Sequence, residues 1–216
     1  MKLFTTANMY MLFEVTALVI AIIYSKRILP SNIKALPLYL LVIVLFDVVA
    51  YYRRSQGLGN AWINDVVIPF EFCYLILMYR SFVNRTWMKN AAFLLVGVYL
   101  LFFVLDEFVY KAGYTRLYLR SYVTGVITLM VMVLLYGYEL LNSEKLFKYY
   151  KQPEFWLSVG ILLFYLGTLP FHLAWNITAI KFVKTYNSMK FIFYSMLCTI
   201  YFFFAISMLC LKPTAK

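Results

Sequence analysis

Seven long apolar runs follow one another along this chain, separated by short connections that carry most of its charge. A helix needs about 20 mostly apolar residues to cross a bilayer, since each residue advances about 1.5 Å through about 30 Å of hydrocarbon. The runs fall at about 6–24, 35–52, 61–80, 91–110, 119–140, 155–175 and 191–211. They are continuous rather than alternating, and each exceeds the roughly 9–11 residues of a barrel strand. Hydrocarbon offers backbone N–H and C=O groups no partner, so a spanning segment must pair them internally as a helix. The sequence therefore predicts an all-α fold: a polytopic transmembrane helix bundle of seven spans, forming a single helical domain over 1–216. The third run is the least regular, because it holds Asp65, Pro69 and Glu71.

Composition points the same way. Hydrophobic residues make up 64% of the chain and charged residues 13%, against about 45–50% and about 25% in soluble domains. A soluble globule of this size has too few polar residues to cover such an apolar interior. The net charge of +11 does not indicate nucleic acid. The basic residues fall singly or in pairs beside apolar runs, as membrane anchors do. Cys73, Cys198 and Cys210 lie inside apolar runs, with neither a disulfide framework nor metal-ligand spacing. Glu14 interrupts the first run, so that run is expected to stay as a helix rather than act as a secretory signal.

Lysine and arginine placement sets the expected orientation. With the N-terminus outside, Lys26, Arg27, Lys34, Arg80, Arg85, Lys89, Lys145, Lys148, Lys151, Lys212 and Lys216 face the cytoplasm. These are a small majority of the 20 basic residues. An N-out, C-in arrangement in a bacterial inner membrane is the expectation. Tyr110, Tyr114, Tyr118, Trp156, Trp175 and Tyr186 near segment ends suit the headgroup layer.

The ionisable residues inside the runs are the candidate functional groups. Each costs about 2.5–3.5 kcal/mol on insertion scales, so each should face a bundle interior or a cavity. Counting rise per residue from the outer boundary puts Glu14 about 12 Å deep, Asp47 about 8 Å and Glu71 about 15 Å. Asp106 and His172 come out at about 5–6 Å. Two arrangements follow. These groups, with Arg120, line a ligand-binding polar pocket open to the non-cytoplasmic side; or the carboxylates pair with Arg116, Arg120 and tyrosines and hold the helices together. Pro69 and Pro170 free the carbonyls of Asp65 and Leu166 near Glu71 and His172. Gly160 and Gly167, seven residues apart on one helix face, predict a close helix–helix contact rather than a ligand.

Several chemistries are excluded. The seventh run has no central lysine for a retinal Schiff base, only Lys190 at its edge. One histidine cannot build a three-histidine zinc site, and no G-x-G-D or G-x-S-x-G motif occurs. No metal and no cofactor is expected.

Two stretches carry a resemblance. Ile68-Pro69-Phe70-Glu71-Phe72-Cys73-Tyr74 resembles a Glu-Phe stretch of largely uncharacterised small seven-helix integral membrane proteins of Bacteroidota. Phe155-Trp156 with Gly160 and Gly167 is similar to a Phe-Trp-x-x-x-Gly-x-x-x-Tyr-x-x-Gly pattern of the same group. Phe164 stands here at the tyrosine position and Tyr165 follows it. The resemblance implies the helical membrane architecture over the whole chain and a link to signalling.

The functional expectation is a non-enzymatic sensor or regulatory subunit, surrounded by membrane lipids and working through a cytoplasmic or membrane protein partner. The alternatives are a small proton-coupled transporter or channel using Glu14, Asp47 and Glu71, and an intramembrane enzyme acting on lipid.

Overall fold

The computed structural model describes residues 6–108, 119–181 and 183–211. Among these, every regular element is helical: α1 (Thr6–Ile23), α2 (Ser25–Ile28), α3 (Leu36–Ser55), α4 (Ala61–Arg80), α5 (Thr86–Phe108), α6 (Leu119–Leu141), a 3₁₀ segment (Glu144–Lys151), α7 (Pro153–Lys181) and α8 (Val183–Leu209). Arg116, Tyr110, Tyr114 and Tyr118 lie outside the described residues. Six of the helices are long and apolar enough to cross a membrane, and Met9–Ile23 is a shorter apolar helix. Their outward faces carry large apolar side chains such as Leu94 and Leu134, each 68% exposed. An exterior of this kind is stable against lipid tails and not against water. The chain is a helical integral membrane protein.

The run carrying Asp65, Pro69 and Glu71 forms one helix, and Pro69 does not end it. Pro170 likewise sits inside α7. The helix of the fourth run begins earlier than its apolar window, at Thr86 rather than about 91. Met88 explains this: it is fully buried and starts a stripe of Met88, Ala92, Tyr99 and Asp106 along one face of α5. Packing of that stripe holds the polar first turn in the helix.

The chain groups into two compact units. Unit 1 comprises residues 1–40 and 148–216. Its centre is the α7–α8 pair. A Cβ on Gly160 would lie 2.7 Å from Phe203 Cβ, and one on Gly167 would lie 2.9 Å from Met196 Sδ. The partner number falls as the glycine number rises, so the two helices run antiparallel. This is the close contact that the glycine spacing predicts. Trp156 also stacks on Phe203, with centroids 6.0 Å apart. Helix α1 packs on α8, with Tyr10 stacked on Tyr194 at 5.6 Å. Beyond α1, Asn32 Nδ2 donates to Glu154 Oε1 at 2.9 Å, and Tyr39 meets Phe204 edge-on at 6.2 Å. Those residues reach the start of α7 and the later part of α8, so α1 runs parallel to α8.

Unit 2 comprises residues 41–147. Here α4, α5 and α6 pack on one another. Helix α3 ends in a Gly-dependent turn. Gly57 takes φ +70, Gly57 N–H donates to Arg54 O at 3.1 Å, and Leu58 N–H donates to Arg53 O at 2.9 Å. Only glycine enters that left-handed conformation without steric cost. The turn is tied down on both sides. Asn60 Nδ2 donates to Ala50 O at 2.8 Å, and Arg53 reaches Gly59 O through Nη2 at 3.1 Å while lying over the Trp62 ring.

Candidate polar sites within the helix units

In unit 1 the candidate residues are Glu14 and His172. Glu14 is 1% exposed and belongs to a buried stripe of Tyr10, Glu14, Ala17 and Ala21. The spacing of four, three and four residues places these side chains on one face of α1. That face packs on α8, as the Tyr10–Tyr194 stack shows. Two alanines beside the carboxylate let the helices approach closely. His172 lies on α7 against the residue of α8 that precedes Tyr194: its ring meets Phe193 edge-on at 5.6 Å, and its neighbour Phe171 on α7 at 5.5 Å. Neighbouring positions 193 and 194 of α8 thus contact His172 on one side and Tyr10 on the other. Glu14 lies one helical turn, about 5.4 Å, beyond Tyr10. Both ionisable groups accordingly sit toward one end of unit 1.

In unit 2 the candidates are Asp47, Glu71, Asp106 and Arg120. Asp106 ends the buried stripe of α5 and is 5% exposed. Its Oδ2 accepts the backbone N–H of Ser121 at 2.6 Å. Ser121 is the third residue of α6, so the carboxylate satisfies one of the backbone donors that every helix start leaves open. A negative charge there is also favoured by the helix dipole. Arg120, exposed, precedes Ser121 in the same turn. Asp106 therefore has a defined structural task in joining α5 to α6.

Glu71 is half-buried on α4. Together with Cys73 it lies close enough to the Tyr99 phenol to interact with it electrostatically. Tyr99 is fully buried, in an aromatic group formed by Phe72, Tyr99 and Tyr122 with centroids 5.2 and 5.6 Å from Phe72. Asp47 is half-buried on α3. Asp47, Glu71 and Arg120 are each engaged by a partner.

Glu139 is not among the candidate residues that the sequence offers. In the structure Glu139, near the end of α6, accepts the Asn84 backbone N–H through both carboxylate oxygens, at 2.9 and 3.0 Å. The Asn84 side-chain amide donates to the same carboxylate. Arg85 lies over the Tyr138 ring at 5.5 Å. This clamp fixes the α4–α5 connection onto α6. An acid near the end of a run, in a chain whose α4–α5 connection and its flanks carry only the basic charges Arg80, Arg85 and Lys89, is the available sequence signal.

Among the described residues, no group of three His, Cys, Asp or Glu side chains is placed to hold a metal ion. No family model matches the chain, and no curated protein or solved structure matches it either.

Proposed function

We propose that this protein is a non-enzymatic membrane sensor or regulatory subunit with seven spans, N-terminus outside, in a bacterial inner membrane. The supporting observation is Glu14, a carboxylate 1% exposed in the seam where α1 packs on α8. A helix seam containing a buried carboxylate packs differently when that group is charged, neutral or bound to a cationic ligand. Tyr10 on α1 and Tyr194 on α8 meet in this seam, His172 of α7 lies behind Phe193, and the four- and three-residue spacing from Tyr194 puts Cys198 and Tyr201 on the same face of α8. In unit 2, Glu71, Asp47 and Arg120 are the candidate input residues, and a partner protein carries the output.

The test uses spin labels at exposed Val15 on α1 and exposed Phe202 on α8, in a variant without native cysteines. The distance between them, measured in nanodiscs, is expected to change between acidic and neutral pH. Glu14→Gln should freeze it in one state. A distance indifferent to both pH and Glu14→Gln defeats the reading. Proton-coupled uptake into proteoliposomes, abolished by Glu14→Gln, would replace it with a transporter.

A further inference from the structure

One end of unit 1 gathers basic residues from three separate stretches of chain. Lys26 and Arg27 come from α2, Lys34 from the connection after it, and Lys148 and Lys151 from the approach to α7. Ser31 N–H donates to Ile28 O at 2.9 Å and joins the first stretch to the second, one side-chain contact joins the second to the third, and two more fix the third against α7 and the end of α8. Asn32 donates to Glu154 at 2.9 Å, Trp156 Nε1 donates to Tyr150 O at 2.8 Å, and Cys210 Sγ lies 3.9 Å from that same carbonyl. Glu154, an acidic residue at the start of α7, is engaged by Asn32.

The level of this cluster is set by the helices beside it. The apolar spans Pro153–Leu173 and Ser188–Leu209 begin and end there, which puts the cluster at the depth of lipid headgroups. Its aromatic side chains behave as interfacial residues do. Tyr149 and Tyr150 are 42% and 48% exposed, yet Tyr149 is anchored against Phe155 at 4.7 Å. The cations are held over rings: Arg27 lies 4.9 Å from the Tyr24 centroid and Lys151 5.4 Å from that of Tyr150. Lys26, Lys34, Lys148 and Lys151 remain exposed.

We propose that this end of unit 1 binds anionic phospholipid headgroups of the bilayer that the protein spans. Lysine ammoniums on flexible stems neutralise phosphates as point charges, and exposed tyrosines sit among headgroups with their hydroxyls toward water. Each basic residue near an anionic surface contributes to the attraction, and several together select anionic over zwitterionic lipid. The proposal is independent of the sensor reading and requires only that the helices cross a membrane.

The experiment compares two variants of equal charge change, Lys148→Gln/Lys151→Gln and Arg53→Gln/Arg54→Gln, the second pair lying at the end of α3 in unit 2. Each protein is reconstituted in phosphatidylcholine vesicles containing a minority of phosphatidylglycerol, and lipid retained after extraction is measured by native mass spectrometry. Each lysine removed is expected to weaken anionic-lipid binding about fivefold. The lysine variant should therefore retain about 25-fold less phosphatidylglycerol, with phosphatidylcholine retention and circular dichroism unchanged. The arginine variant should match the unmodified protein. Equal losses in both variants would overturn the proposal, because net charge alone would then account for binding. No loss in the lysine variant would overturn it as well. So would inorganic phosphate raising the melting temperature of the detergent-solubilised protein as much as phosphatidylglycerol does, since the site would then take a soluble anion.

Discussion

The ring of Phe72 occupies the space that a side chain at position 125 would need: a Cβ on Gly125 would lie 2.6 Å from Phe72 Cδ2. Helix α6 can approach α4 because position 125 has no side chain. The same approach brings Phe72 between Tyr99 and Tyr122. Gly125→Ala is expected to destabilise unit 2 by about 1–3 kcal/mol, the usual cost of overpacking a filled interior. Gly137→Ala on the same helix meets nothing within 4 Å. It should be neutral, or stabilising by up to about 1 kcal/mol through helix propensity. Unfolding titrations in mixed micelles measure both.

The two glycines of α7 should differ in tolerance. Alanine at 160 presses on Phe203 Cβ, close to the α8 backbone, with Ile200 O 3.5 Å away. Alanine at 167 meets the sulfur of Met196, the far part of a flexible side chain. Gly160→Ala is thus expected to loosen the α7–α8 pair more than Gly167→Ala, which Met196 can absorb by changing rotamer. Thermal unfolding of the two variants side by side gives the order.

Asp106→Ala removes the acceptor of the Ser121 N–H and leaves a buried donor open, at a cost of about 1–3 kcal/mol. Asp106→Asn keeps an oxygen in place and should lose less. Hydrogen exchange of the first turn of α6 is the sensitive measurement, since that turn should open faster in the alanine variant while the middle of α6 is unchanged.

Cys210, inside the run expected at about 191–211, lies one residue past the span that the structure ends at Leu209, and burial raises its thiol above the usual 9.0. The thiolate is the reactive form, so a raised value means a smaller reactive fraction at any pH below it. With Cys73 and Cys198 replaced by serine, alkylation of Cys210 should still be accelerating as pH passes 9.0. A rate that levels off below that pH would contradict the burial of this thiol.

Particular elements show where sequence reading succeeded and where it stopped. Gly160 and Gly167 announced a close helix contact because spacing along a helix fixes which side chains share a face. Periodicity on a single chain said nothing about the partner, and only packing supplied Phe203 and Met196. The first turn of α5 was missed because Trp87, Lys89 and Asn90 make it look like a connection, although Met88 anchors it. Asp106 was legible as a carboxylate near a span end, but its pairing with Ser121 spans a connection whose path no local pattern reveals.

What the sequence determined alone is the solvent and the secondary structure. Hydrocarbon leaves backbone groups no external partner, so long apolar runs have to become helices wherever they sit. Tertiary structure decided which polar side chains meet. Inside lipid the helices gain little from apolar burial against one another, so their arrangement depends on the fit of individual residues such as Phe72 at Gly125. That fit is a property of pairs of helices, and no single run contains it.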